Sequence, residues 1–367
     1  MRKQCFIPIL ILFTFLFLPL SVSAEEYPQE QELKQLLDYL PEEYASYFFN
    51  DEGALSLPTP DRLLSLSTAI LKNALTEGVP RIKTTLSLVL FCSIFSLFES
   101  CLSDSKAKGI LRSCVFLTGM LSIGQALTQV FALTEEHLNR LCGILTGILP
   151  ILNGIHLSMG AVSSAALSSA LLTILLSLIG EFSGGLLFPF QKVVFALDLT
   201  AILTENKGLS SFACSVKKIL LFLIGGLSFF LLSCFALQNV VAARADTAAL
   251  RAFRFTAGGL VPVVGSALSE SSRILLSGLE LLRATGGAVA VIAILFMLLS
   301  PLCTLFVCAI SLSLAADLSA TLENDLLKSL FSAARSTVNH LAAFMILCDL
   351  SVIIALAITL SQTVSII

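Results

Sequence analysis

The sequence predicts an all-α, polytopic integral membrane protein of about seven or eight transmembrane helices, with a re-entrant or interfacial helical hairpin among them. Three observations predict it. Of the 367 residues, 56% are hydrophobic and only 13% are charged, about half the charge of an ordinary soluble chain. The mean hydropathy is +0.93. Beyond residue 83, apolar runs follow one another almost without pause. A soluble surface for a chain this long could hardly be covered by so few charges. A net charge of −3 and a pI near 5.7 leave no basic footprint, so nucleic acid is excluded as a partner; the apolar, charge-poor composition excludes a cytosolic enzyme.

Residues 1–24 read as a signal peptide. Arg2 and Lys3 form its basic start, Phe6 to Leu20 its apolar stretch, and the small residues at 21–24 its exit. Cleavage is expected after Ala24; an uncleaved anchor helix is the alternative. Either way residue 25 begins on the far side of the membrane. Residues 25–83 form an exported acidic helical segment holding 11 of the 25 acids against five bases, a net −6, together with all four tyrosines. Leu33, Leu36, Leu37 and Leu40 recur at helical spacing, as do Leu63, Leu64, Ile70, Leu71 and Leu75. Pro41 and the prolines at 58 and 60 punctuate the two stripes. So acidic a segment is repelled by anionic lipid.

A membrane span needs about 20 apolar residues. Candidates lie at 84–101, 110–133, 141–159, 162–180, 186–204, 217–241, 287–316 and 339–363. Residues 84–243 make a first bundle of membrane helices and 287–367 the C-terminal ones. Within 141–204, Pro150, Gly184, Gly185 and Pro189 could mark broken or re-entrant segments. Eight spans and an exported N-terminus put Lys106, Lys108, Arg112, Lys207, Lys217, Lys218, Lys328 and Arg335 on the cytoplasmic side. Arg140, Arg244, Arg251, Arg254, Arg273 and Arg283 fall on the other. That bias is weak for a rule that depends on clear asymmetry, which marks the stretch after residue 243 as something other than a plain loop.

Residues 244–286 read as an amphipathic helical hairpin. Arg244, Arg251 and Arg254 fall at intervals of seven and three and share one helical face. Gly258, Gly259, Pro262 and Gly265 make the bend. The second arm carries Leu268, Leu275, Leu279 and Leu282, with Glu270–Arg273 and Glu280–Arg283 as i,i+3 pairs. Such a hairpin either lies in the interface or re-enters the membrane. Irregular backbone at membrane depth survives only beside protein or a wet cavity, so re-entry implies a hydrophilic path. Arg244, Arg251, Arg254, Pro262, Gly265, Glu270 and Arg273 are therefore the candidate conduit or gating residues.

Nothing in the motifs points to catalysis, and no cofactor is expected. No CxxC, Walker A, GxSxG, GxGxxG or HExxH sequence occurs. His137, His156 and His340 lack metal-ligand spacing, and the cysteines beyond the signal read as small apolar residues in helices. Among ionisable residues in the spans (Glu99, Glu181, Lys192, Asp198 and Asp349), each invites a functional hypothesis, because a charge at mid-bilayer costs about 3 kcal/mol or more. Asp198 and Asp349 are the candidate intramembrane polar residues. Lys192 and Asp198 are six apart and face roughly opposite ways. Asp349 lies eleven residues into the last span, where it could bond a neighbouring helix or couple an ion. Small residues in rows (Gly160, Ser164 and Ser168; Ala161, Ala165 and Ser169) allow close helix approach within the chain or between copies as a homo-oligomer.

Several features together resemble the stage III sporulation protein AE family of endospore-forming bacteria. The residues that carry the resemblance are Asp246, Arg251, Phe253, Arg254, Phe255, Gly259, Pro262 to Gly265, Ser269, Gly286 and Gly287. It covers most of the mature chain in layout and residues 245–300 in recognisable motif, while the exported segment departs freely. The resemblance implies a multi-pass protein of the mother-cell membrane around the forespore, with its N-terminal segment in the intermembrane space. It implies a non-enzymatic component of a channel or feeding-tube-like complex, possible conduit included, that keeps the forespore competent for late gene expression. The implied partners are the other membrane proteins of the same operon and, through them, a forespore membrane protein. A stand-alone ion-coupled permease and a membrane scaffold for assembly are the competing classes.

Overall fold

A computed structural model describes residues 60–101, 105–158, 162–204, 206–260 and 265–360, with side chains at 238–290 and at a few scattered helical positions outside the description. The signal peptide at 1–24 and the first half of the acidic segment, 25–59, therefore lie outside the described residues. Every regular element among the described residues is helical: α1 (Pro60–Cys101), α2 (Ser105–Ser158), α3 (Val162–Glu181), a π-helical segment (Phe182–Leu187), α4 (Phe188–Leu203), α5 (Lys207–Leu260), α6 (Gly265–Thr321) and α7 (Asp325–Leu360).

Five stretches among the described residues are long and apolar enough to cross a membrane: Asp61–Ser96, Lys106–Gly154, Val162–Leu203, Val291–Thr321 and Asp325–Thr359. A shorter apolar stretch, Ser228–Leu237, lies in α5. This differs from the seven or eight separate spans expected, for a physical reason. Residues 134–140 between the second and third candidates are charged but hold neither glycine nor proline, so charge interrupts the hydropathy without turning the chain. The two candidates lie on the single helix α2. Likewise 162–180 and 186–204 are joined through the π-helical segment. Pro189 cannot donate to the residue four before it, Gly185, and its ring crowds that carbonyl. The wider π turn there absorbs the misfit instead of breaking the helix. Pro80, Pro150 and Pro301 are likewise carried inside α1, α2 and α6. Helix α1 also runs unbroken through residue 83, where the composition changes from acidic to apolar.

The core is built around α6 and α7. In their apolar windows 61% and 56% of residues are buried, against 22–33% in the other three. Helix α7 packs on α6, α5, α2, α4 and α3, and α1 completes the bundle against α6 and α2. Phe331, Ala334, Val338, Leu341, Met345, Val352 and Ala355, at helical spacing along α7, are fully buried. On the rim the pattern inverts: Phe222 is 80% exposed, Phe229 73% and Leu121 72%. A soluble protein does not leave so much apolar surface bare; against lipid it is a solvated surface. Polar helix starts are capped from within: Asn324 Oδ1 accepts the Leu327 N–H at 3.2 Å, and Asn206 Oδ1 the Gly208 N–H at 2.9 Å.

Lys108 and Arg112 near the start of α2 share one cleft with the α6–α7 turn at Glu323 and Asn324. Arg112 shares a second cleft with Asn206 of the α4–α5 turn. The start of α2, the α4–α5 turn and the α6–α7 turn thus meet at one end of the bundle, where Lys108, Arg112 and Lys328 gather with Asp325.

Between α1 and α6, Gly78 lies so close to Val307 that an added Cβ would take the space of its Cγ1. We expect Gly78→Ala to cost about 1–3 kcal/mol through overpacking, and Val307→Ala in the same chain to recover part of it. Thermal unfolding in detergent, followed with a thiol-reactive dye, checks this because Cys92, Cys308 and Cys348 are free and buried. Simple addition of two losses would contradict the contact.

Candidate functional site

Among the described residues two ion pairs are buried in the bundle, and α7 meets both. The first starts on α4, where Gln191, Val194, Asp198 and Ala201 lie on the inward face. Asp198 Oδ2 accepts a hydrogen bond from Lys217 Nζ at 2.6 Å, with side-chain exposures of 11% and 3%. Lys217 sits ten residues into α5 and also donates to Ser336 Oγ on α7 at 3.3 Å. One turn further along α7, His340 Nδ1 donates to the Ser336 carbonyl oxygen at 2.5 Å. Three helices are tied together at a single point.

The second pair joins α2 to α7: His137 Nε2 lies 2.8 Å from Asp349 Oδ2, with side-chain exposures of 2% and 0%. Asp349 Oδ1 is buried and makes no hydrogen bond among the described residues. His137 is the inward member of a charged turn whose other members stay at the surface, Arg140 bonding Glu136 at 2.6 Å. Asp349 and Ser336 are thirteen residues apart on α7, which separates the two pairs by about 20 Å along the helix.

A polar cleft of about 680 Å³ opens over the first pair between α2, α4, α5 and α7. Arg112 and Asp325 stand exposed at its mouth, and Asp198 and Lys217 lie buried at its floor. Ser329, Ser332 and Ser336 descend α7 between them, with Ser210 of α5 opposite. A second cleft, of about 300 Å³, lies between α1, α2 and α6, lined in part by Glu77, Arg81, Gln125, Gln129 and Ser311. Among the described residues no group of three or more His, Cys, Asp or Glu side chains could hold a metal ion.

Asp198 and Asp349 are thus both paired inside the bundle. Lys192 points away from Asp198, exposed and 5.7 Å from the centre of the Phe131 ring, as their spacing implies. Arg244, Arg251 and Arg254 lie on α5, and Gly265, Glu270 and Arg273 on α6, but their side chains, and Pro262 entirely, fall outside the described residues. Sequence reasoning missed Lys217, which reads as a loop base ahead of an apolar run, and His137, which reads as isolated. A signal was present for the cleft: Ser329, Ser332, Ser336 and His340 form one stripe at intervals of three, four and four.

A model of the stage III sporulation protein AE family matches residues 52–363. The chain belongs to the stage III sporulation protein AE family. It is similar to the stage III sporulation protein AE of Bacillus subtilis (strain 168), at 22% identity over 242 residues. The match covers 65% of this chain and 60% of that protein's length. No solved structure matches. Membership of this family implies a role in sporulation, and the apolar helices fit a membrane protein.

Removing one member of the His137–Asp349 pair leaves a polar group buried alone. We expect His137→Ala to cost about 3–5 kcal/mol, and His137→Leu with Asp349→Leu to stay near parental stability. The same thiol-reactive unfolding assay reads both. Equal losses in the single and double variants would count against the pair as a mutual partner.

Proposed function

We propose that this protein is a non-enzymatic membrane component of the mother-cell-to-forespore channel complex, feeding-tube-like in form, and that its bundle contributes the membrane conduit. Membership of the stage III sporulation protein AE family over residues 52–363 carries this reading. The polar clefts within an otherwise apolar bundle support it, since a conduit needs hydrophilic surface among apolar helices. In this reading the bundle sits in the mother-cell membrane as a multi-pass protein. Its base-gathering end, with Lys108, Arg112 and Lys328, faces the mother-cell cytoplasm, following the bias of Lys and Arg toward that side. The signal peptide directs residues from 25 onward into the intermembrane space. The partners are other membrane proteins of the same operon and, through them, a forespore membrane protein.

In the same reading the 244–285 hairpin lines or gates the path, through the arginines at 244, 251 and 254 and the bend at Pro262 and Gly265. Arg251→Glu combined with Arg254→Glu should block forespore development after engulfment while leaving protein level unchanged. Counting heat-resistant spores beside an immunoblot checks this, and normal spore yield would overturn the gating role.

The buried Asp198–Lys217 and His137–Asp349 pairs favour one second reading, an ion-coupled permease that works alone. Purified protein in liposomes separates the two, since a permease transports without partners and a complex component does not.

A further inference from the structure

The cleft over Asp198 and Lys217 has the size, charge balance and access of a small-molecule site. Its volume of about 680 Å³ lies in the usual range for such sites. Its charged lining is balanced, with Arg112 and Lys217 against Asp198 and Asp325. At the floor, Lys217 Nζ and Asp198 Oδ2 are 2.6 Å apart and nearly out of contact with solvent, while Ser329 and Ser332 near the mouth are exposed. Ser329, Ser332 and Ser336 line one side of the route from mouth to floor and Ser210 the other, among apolar neighbours such as Ile202 and Leu326, and a hydroxyl both donates and accepts. A polar solute can therefore exchange water for protein on the way in.

The buried pair sets which solute can stay. Lys217 and Asp198 have each given up water, and each is compensated by the other. An anion that took Lys217 would leave Asp198 buried and unpaired, and a cation that took Asp198 would strand Lys217. Either exchange carries the full penalty of an isolated buried charge. A solute bearing both signs on neighbouring atoms exchanges charge for charge and strands neither. We propose that this cleft binds a small zwitterion of the α-amino-acid type, with its carboxylate on Lys217 and its ammonium on Asp198. Ser336, already bonded to Lys217 at 3.3 Å, supplies a hydroxyl beside the bound carboxylate. The proposal concerns the chain alone and stands apart from its membership of a complex.

The test uses the purified full-length chain in lipid nanodiscs and three probes of one shape: L-alanine, L-lactate and L-alaninamide. Equilibrium dialysis with radiolabelled probes should show saturable binding of L-alanine at millimolar concentration. Lactate, which lacks the ammonium, and alaninamide, which lacks the carboxylate, should bind about a hundredfold more weakly. A second readout needs no variant. Cys214 is exposed and lines the cleft, so L-alanine should slow its alkylation by a polar maleimide, measured on its peptide by mass spectrometry, and should leave Cys114 unaffected. Asp198→Asn with Lys217→Gln, which keeps a neutral hydrogen-bonding pair, should abolish both effects while the chain remains monodisperse. Absence of saturable L-alanine binding, or equal binding of all three probes, would overturn the proposal. So would binding that survives in the double variant. None of these results bears on whether the chain supports sporulation, which spore counts decide.

Discussion

A polar group inside an apolar bundle has to find its partner within the chain, and here that requirement converges on α7. Ser336 meets the Asp198–Lys217 pair, and Asp349 meets His137. Lipid gives helices no hydrophobic reason to associate, because the acyl chains are as apolar as the leucines they would replace. Close packing and internal polar contacts must therefore hold the bundle, and α7 provides both. Its buried stripe from Phe331 to Leu356 touches five other helices. The two pairs fix which turn of α7 faces α2 and which faces α4 and α5. Sliding α7 by one turn would carry both polar groups past their partners, so the pairs define the register that the apolar stripe alone leaves degenerate.

Helix length sets the second constraint. Helices α2, α5 and α6 run for 54, 54 and 57 residues, about 80–85 Å at 1.5 Å per residue. A hydrocarbon core of about 30 Å cannot contain them even at the tilts that membrane helices adopt. Parts of these helices accordingly stand outside the apolar layer. Arg244, Arg251 and Arg254 fall toward the end of α5, and Glu270 and Arg273 toward the start of α6. The same geometry explains how a chain with so little charge concentrates it: exposed charges such as Glu136 and Arg140 sit on helix that carries on through them.

The all-helical class and the run of apolar helices were legible in the sequence because both depend on short-range properties, hydropathy and periodicity. The division into spans was less so. A hydropathy profile cuts wherever charge appears, whereas the chain turns only where its backbone can. The residues from Thr134 to Arg140 show the first without the second, and the π-helical segment before Pro189 shows glycine and proline absorbed without a break. Asp198 and Asp349 stood out in advance because a carboxylate in an apolar run is rare. Lys217 and His137 did not, since neither is unusual at the edge of a charged patch. Their meaning depends on a partner 19 residues away in one case and 212 in the other.

A membrane protein, an all-helical build and the residue patterns that ally the chain with a sporulation family were thus all readable along the chain. Composition and local periodicity suffice for the first two, and the third rests on motif residues close together in the chain between 245 and 300; none of them depends on which residues meet in space. It took the packing of the helices to make α7 the hub, to turn Lys217 inward to Asp198 and to open a cleft above them. Those are properties of pairs and triples of helices, and the energy of a buried charge is set by what stands opposite it rather than by what precedes it along the chain.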